Sequence, residues 1–186
     1  MQFLRDENVI ILEFLPRGHS TGRQEPIAQA IGDKYFSLLE LVVRRDVDLK
    51  PGDNVYIGES KRDKIDHIKR RISINDLTSF AKSELPFVVE KLVKENEPKF
   101  VNFFNNAQPI STRFHQLELI PGIGKKHLWD IIGERKKSPF TSFGDIKKRI
   151  KLMPDPANSV IKRIMEELEN DEVRFRLFVA GPVKRF

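Results

Sequence analysis

The residues best suited to chemistry in this chain form a short glycine-rich stretch followed by two lysines, Pro121-Gly122-Ile123-Gly124-Lys125-Lys126. Gly122 and Gly124 lack a Cβ atom, so the backbone can turn tightly here and approach another molecule closely. A helix that begins at Lys125 would present unpaired N–H groups and the positive end of its dipole at the same place. Lys126 adds formal charge, and Ile123 would be the apolar residue that fixes the turn. The stretch therefore predicts a phosphate-binding site.

Positive charge is concentrated around the same stretch. Residues 125–151 hold nine basic and three acidic residues, a net charge of +6, which equals the net charge of the whole chain at pH 7. Lys136 and Lys137 lie in this segment, and we expect them to support phosphate binding electrostatically. An anion-binding turn inside a basic segment indicates a polyanion as the partner. A glycine turn that binds nothing, beside a merely solvated lysine-rich face, remains the alternative.

The stretch 117–126 resembles the hairpin of helix-hairpin-helix proteins, which bind DNA and RNA without regard to sequence. A shift of 33 residues aligns 117–121 with 150–154, so the hairpin is followed by a second copy. The resemblance implies a tandem pair of hairpins that straddles a nucleic acid. In the second copy Asp155 begins the segment that replaces the glycines, and its charge would repel a phosphate. We therefore expect the second copy to be a packing partner. Leu128 departs from the family pattern, in which a small residue is common at this place.

A second basic segment lies between Lys61 and Arg71. It contains six basic and two acidic residues, and it ends in Lys69, Arg70 and Arg71. These three residues are candidates for a second nucleic-acid-binding surface. An ordinary sheet edge is the alternative, because lysines and arginines also protect sheet edges from pairing with other chains.

An enzymatic alternative would use Lys126 and Asp145. Their order resembles that of helix-hairpin-helix DNA glycosylase/lyases, in which a catalytic lysine follows the hairpin and an aspartate comes later. A desolvated lysine can act as an amine nucleophile on an abasic sugar. That resemblance implies a larger helical barrel and often an iron–sulfur cluster held by cysteines, whereas this chain has no Cys. We favour an interpretation without catalysis, in which Asp145 belongs to a helix N-terminus.

The sequence argues against other kinds of reactive site and against a membrane protein. The absence of Cys removes disulfides and the common structural zinc sites, and the four histidines are scattered. No nucleotide-hydrolase phosphate loop or dinucleotide-binding glycine motif is present. We expect no cofactor and no metal.

No apolar run approaches about 18 residues, and Met1 leads into charged residues. We therefore expect a cytoplasmic protein, and we expect it to be a monomer.

The N-terminal part, residues 1–74, has the pattern of a small β-barrel. Apolar runs at 9–15 and 55–57 predict strands, and 27–43 predicts a hairpin. The sequence of residues 50–57, a turn followed by a strand, looks like one common in OB-fold and related RNA-binding barrels. Residues 61–74 fit either a helix or a strand, and we favour a strand that closes the barrel.

Residues 75–170 have the periodicity of helices. We expect three short helices at 76–84, 86–95 and 98–105, with Pro86 and Pro98 in first turns. A further helix would run from a Ser111 cap to Ile120, and another from Lys125 to Arg135. Trp129 would pack at an interhelix or interdomain contact, with stacking on a base as the alternative. Alternation at 172–182 predicts a strand, within a tail, 171–186, that packs on the barrel.

As a whole, the chain is similar to an archaeal family numbered 655 in the domain-of-unknown-function series. The strand at 55–57 and the hairpin at 117–126 carry this resemblance, which extends over nearly the full length. It implies an α+β protein in which an OB-like barrel precedes an all-helical tandem helix-hairpin-helix domain. It also implies nucleic-acid binding in an archaeal cytoplasm, and it supplies no catalytic activity. We predict a non-catalytic nucleic-acid-binding protein, with RNA slightly preferred over DNA. A protein-interaction module is the alternative from another class.

Overall fold

The computed structural model describes residues 5–22 and 24–181 of the chain. The fold is a mixed α+β fold, as expected. The strands are β1 (Asn8–Leu15), β2 (Ile27–Gly32), β3 (Leu38–Val43), β4 (Asn54–Tyr56), β5 (Ile65–Arg71), β6 (Pro109–Ser111) and β7 (Phe114–His115). The helices are α1 (Ser79–Glu95), α2 (Glu97–Asn106), α3 (Lys125–Lys137), α4 (Phe143–Arg149) and α5 (Pro156–Glu169). Two compact units result: the chain up to Val88 together with the chain from Glu167, and Val89–Glu166.

The first unit is built on a curled antiparallel sheet with the strand order β4-β1-β2-β3-β5. Every residue of β2 and β3 is buried, so these central strands form the core of the unit. β5 confirms the strand predicted within 61–74, but it extends the sheet beyond β3. Within the described residues, β4 and β5 pair with no strand on their outer sides. The sheet is therefore a half-barrel, and the barrel closure that we predicted does not form there.

The strand predicted at 172–182 is wrong for its described part, because residues 171–181 form turns and bends. Glu167 is fully buried, and its carboxylate accepts hydrogen bonds from the N–H groups of three successive residues. These donors are Leu177, Phe178 and Val179, at 2.7, 3.1 and 2.9 Å. A strand would have needed some of these groups for its ladder. Further along, the N–H of Ala180 donates to the carbonyl of Tyr35 at 2.9 Å.

The helix predicted to break before Pro86 is continuous, because Pro86 lies inside α1. A proline in a helix interior costs about 3 kcal/mol, since it removes one hydrogen bond and crowds the preceding turn. Leu85 and Val89, on either side of the proline, are both fully buried. Their burial favours one long helix over two short ones. Pro98 does lie in the first turn of its helix, α2, as predicted.

The helix predicted from Ser111 to Ile120 is also wrong. β6 and β7 form a small hairpin, and only a 3-10 turn, Gln116–Leu119, follows them. The side chain of His115 accepts a hydrogen bond from the N–H of Leu117, and Glu118 accepts one from the N–H of His115. This reciprocal cap makes His115 the N-cap, four residues later than the cap predicted at Ser111. A single turn therefore precedes the glycine stretch.

His115 gives the second unit a pH dependence. Burial lowers the pKa of His115, and the positive charges of Arg135 and Lys125 lower it further. The unfolded chain therefore binds more protons than the folded chain between the lowered pKa of the folded state and pH 6.5, the ordinary pKa of this side chain. Stability falls as the pH drops through that value, because protonation favours the unfolded state.

We expect the melting temperature of the protein to fall between about pH 7.5 and 5.5, and we expect His115→Asn to reduce this fall. An asparagine oxygen can accept the Leu117 N–H without titrating, and the variant keeps every other titrating group. Thermal melts of both proteins at the two pH values provide the measurement. An equal fall in the variant would contradict the role of His115.

Candidate nucleic-acid interface

The turn before α3 requires a glycine at position 122. Gly122 has a φ of +87°, in the region that side chains other than glycine rarely adopt. A Cβ atom here would lie 2.6 Å from Cγ of Pro154, which belongs to the second copy of the repeat. The first turn thus packs against the aligned segment, as expected for a packing partner. Ile123 is buried, and its N–H donates to the carbonyl of Ile120 at 3.1 Å, which tightens the turn.

Gly124 leaves the N-terminus of α3 open. It is the N-cap residue, with extended backbone angles and no side chain that could accept from the helix. A Cβ atom at this position would meet nothing within 4 Å. Leu128 donates to the Gly124 carbonyl at 2.9 Å, so intrahelical bonding begins there. The N–H groups of residues 125–127 have no acceptor among the described residues, and they carry the positive end of the helix dipole.

The two lysines that open α3 have different surroundings. Nζ of Lys125 lies 2.8 Å from Oε1 of Glu118 and donates to the carbonyl of Arg113 at 3.0 Å. The hydrogen bond from Lys125 lowers the pKa of Glu118. Lys126 is exposed and has no ion-pair partner in the described part of the chain. Of the two side chains, Lys126 is the one available to a phosphate.

Lys136 and Lys137 do not lie beside the hairpin. They are in the last turn of α3, and at a rise of ~1.5 Å per residue Lys136 is about 16 Å from Lys125 along the axis. Lys137 forms an ion pair with Glu134, while Lys136 is exposed. Both charges stabilise the negative end of the helix dipole. If these lysines contact a nucleic acid, they contact it one helix length away from the turn.

Two arginines in the basic segment are structural. Arg135 donates to the carbonyls of Phe104 and Ala107 at 3.0 and 3.1 Å, which satisfies the C-terminal end of α2. Arg149 lies over the ring of Phe140 at 4.4 Å and pairs with Glu134 and Asp145. Net charge alone could not reveal these roles. Arg135 does follow Leu128 and Ile131 at helical spacing, and this places it on the buried face.

The second copy of the repeat has a closed helix N-terminus. Asp155 precedes α5, and its carboxylate accepts a hydrogen bond from the N–H of Asn158 at 3.0 Å. Nζ of Lys147 lies 3.5 Å from the same carboxylate. The chain thus carries its own anion at the position where Gly122 stands in the first copy. This contrast between the two helix ends is the main asymmetry of the second unit.

The geometry gives little support for a lyase that would use Lys126 and Asp145. Asp145 lies in the first turn of α4, where its carboxylate accepts from the N–H of Thr141 and pairs with Arg149 at 3.2 Å. Burial alone would raise the pKa of Asp145, but these hydrogen bonds and the charge of Arg149 together lower it. Lys126 is exposed, whereas an amine nucleophile is activated by desolvation. Asp145 therefore has the role of a helix N-terminus residue.

The second basic segment is largely engaged within the first unit. Lys69 pairs with Glu25, and Arg70 pairs with Glu40 at 3.3 Å. Arg71 donates to the carbonyl of Ala180 at 2.8 Å.

The first unit also has an open cleft of about 910 Å³. Its lining includes Arg71 together with Arg5, Tyr35, Tyr56, Arg62 and Ile68. Of the three predicted residues, Arg71 is the one that lines this cleft.

Known relatives identify the family. The family model described as "Protein of unknown function (DUF655)" matches residues 5–180. The chain belongs to this family. The uncharacterized protein MJ0038 of Methanocaldococcus jannaschii is 46% identical over 170 residues, which cover 91% of this chain and 77% of that protein. The crystal structure of Af1531 from Archaeoglobus fulgidus, of the same family, matches with a TM-score of 0.84 and 44% identity. This match covers 94% of this chain and 100% of that one.

These relatives confirm the DUF655 family predicted from the sequence, and both come from archaea. In residues 5–22 and 24–181 of this DUF655 chain, no three His, Asp or Glu side chains come together as metal ligands. No helix in the same residues is long and apolar enough to span a membrane.

Trp129 also has surroundings that differ from those predicted from the sequence. We expected it to pack at a contact, but in this DUF655 chain 65% of its surface is exposed. Leu128, its neighbour on α3, is buried and supplies the apolar contact at this level of the helix. Sequence spacing could have indicated this, because Leu128 and Ile131 already define the buried face and Trp129 lies off it.

Proposed function

We propose that this protein binds nucleic acid without catalysis and largely without regard to sequence, and that it holds the phosphate backbone at the turn 121–124. The main support is the open N-terminus of α3. Here Lys126 and three N–H groups that have no acceptor in residues 5–22 and 24–181 lie next to the backbone of Gly124, which carries no side chain. Helix ends of this kind favour anions. The aligned helix end at Asp155 carries its own carboxylate, so we assign phosphate binding to the first copy alone.

The proposal includes the finer features of fold that the resemblance implies. The half-barrel would be an OB-like domain, and the two repeat copies would be a tandem helix-hairpin-helix module whose second member is degenerate. RNA is slightly preferred over DNA, and the protein would act as a cytoplasmic monomer. The cleft beside Tyr35, Tyr56 and Arg71 offers a second surface, since tyrosine rings and arginines suit a single strand.

Exposed lysines supply the electrostatic part of the proposal. Lys126, Lys136, Lys148 and Lys151 are exposed, and none has an ion-pair partner in the described part of the chain. Phosphate contacts of this type position a protein on a strand but do not identify bases. Binding should therefore depend more on salt than on sequence.

A salt titration tests the proposal. We expect labelled single- and double-stranded RNA and DNA to bind at low salt, with log affinity falling by roughly 0.7 to 0.9 per contacted phosphate for each log unit of salt. Lys126→Ala should weaken binding of all four probes similarly and reduce the slope by about 1. Fluorescence anisotropy at several salt concentrations gives both quantities. Failure of every probe to bind at low salt would contradict the proposal.

The second candidate is a protein-interaction module, and one observation favours it. Phe80 and Phe87 on α1 are 47% and 69% exposed. They are seven residues apart, so they lie on the same face of the helix two turns from each other. A module of this kind would bind its partner through Phe80 and Phe87, and Phe87→Ser would weaken that binding. The same substitution should leave nucleic-acid affinity unchanged if the turn at 121–124 binds the phosphate backbone.

A further inference from the structure

Trp129 lies on an exposed face of α3 that begins at the open helix end. At 100° per residue, Lys126, Trp129, Gly133 and Lys136 fall within one quarter of the helix circumference. All four are exposed. Trp129 is one turn beyond Lys126 and about 10 Å along the axis from Lys136. The indole therefore lies between two lysines that have no ion-pair partner among the described residues.

Gly133 leaves the surface beside the indole bare. It is one turn after Trp129 on the same face, and a Cβ atom at this position would meet nothing within 4 Å. Glycine in a helix interior costs about 1 kcal/mol relative to alanine, so the residue does not serve helix stability. The indole makes no ring contact or hydrogen bond within the described chain. The open space at Gly133 leaves room beside the indole for the edge of a flat group.

We propose that Trp129 stacks on an unpaired base of the strand whose backbone is held at the turn 121–124. The preferred ligand is then a nucleic acid with unpaired nucleotides, such as a single strand or a loop, and not an uninterrupted duplex. This inference rests on the proposed function, and it goes further because it names the form of the ligand. Every base has a stacking face, so the contact adds affinity without reading sequence.

The charges on this face favour a nucleic acid as the occupant. Lys126 and Lys136 flank the indole, and at 100° per residue Asp130 lies about 40° beyond Lys126, outside the face. A strand that runs along α3 would bring phosphates to the lysines and a base to Trp129. An acyl chain or a purely apolar protein surface would leave both lysines without partners.

The single tryptophan of the chain makes a direct experiment available, because Trp129 is the sole source of tryptophan fluorescence. The probes are oligoadenylate as RNA and as DNA, a perfectly paired duplex, and an abasic oligomer with the same number of phosphates. We expect oligoadenylate to change the Trp129 fluorescence on binding. The abasic oligomer should bind more weakly and leave the fluorescence nearly unchanged, because it offers phosphates without bases.

Two variants separate stacking from backbone binding. Trp129→Ala should weaken oligoadenylate binding roughly 5- to 150-fold and leave abasic binding unchanged, while Trp129→Phe keeps most of the affinity. Gly133→Leu should also weaken oligoadenylate binding, because it fills the space beside an intact indole. Both positions are exposed, so circular dichroism melts should show folded proteins.

The outcomes distinguish this inference from the proposed function. Binding to every probe with no fluorescence response, and with equal affinity for Trp129→Ala, would overturn the stacking contact alone. Equal affinity for the duplex and the single strand in the wild-type protein would overturn the preference for unpaired nucleotides. Failure of all probes to bind at low salt would overturn both proposals.

Discussion

Replacing Gly122 with alanine should destabilise the protein by about 2–5 kcal/mol. A left-handed backbone costs a residue with a Cβ roughly 1–2 kcal/mol, and Gly122 has a φ of +87°. The new methyl would also lie 2.6 Å from Cγ of Pro154, and overpacking of this kind costs about 1–3 kcal/mol. Chemical denaturation of the variant measures the change. A free energy of unfolding equal to that of the wild type would mean that the turn is not held as described.

Gly124→Ala is the matched control for this prediction. Gly124 is two residues away in the same turn, has a φ of −91° and has open space where the methyl would be. We expect its stability to change by no more than about 1 kcal/mol, the scale of an altered N-cap. Adding Pro154→Ala to Gly122→Ala should recover the steric part of the loss and leave the backbone part. A double-mutant cycle isolates these two contributions.

The sequence was most informative where one local pattern determined the outcome. The apolar runs and turns before residue 74 predicted β1 to β4, with β2 and β3 as a hairpin, and the Gly124-Lys125 junction predicted the start of α3. Ile123 is buried as its place between two glycines indicated. These features depend on neighbours in the chain, so local propensity and spacing suffice for them.

The sequence was misleading where residues distant in the chain determine the local conformation or the partner of a side chain. Pro86 would normally end a helix, but burial on both sides of it favours continuation. The alternating tail lacks a strand because Glu167, which precedes it, takes the N–H groups of residues 177–179. Lys125 was expected to face a phosphate, but Glu118 and the carbonyl of Arg113 hold it. A single sequence without contacts does not reveal such partners.

Replacing Gly124 with aspartate should abolish nucleic-acid binding while the fold remains intact. A carboxylate at the N-cap would accept from the open N–H groups of α3, and at ~4 Å from a phosphate near the surface it costs up to about 4 kcal/mol. We expect an affinity loss of at least about 100-fold, since 1.4 kcal/mol corresponds to a factor of 10. Aspartate is a good N-cap residue, so the melting temperature should stay the same or rise slightly. Anisotropy and thermal melts of one preparation measure both effects.

Two controls identify charge at the turn as the cause. Gly124→Asn has the shape and capping ability of the aspartate variant without its charge, so it should lose far less affinity. Gly144→Asp makes the same change in net charge at an exposed residue of α4, where a Cβ atom would make only an ordinary contact of 3.6 Å with Ser142. It should bind within a few-fold of the wild type. If Gly124→Asp binds as tightly as Gly144→Asp, the backbone is gripped elsewhere, and the asymmetry between Gly124 and the Asp155 cap serves only folding.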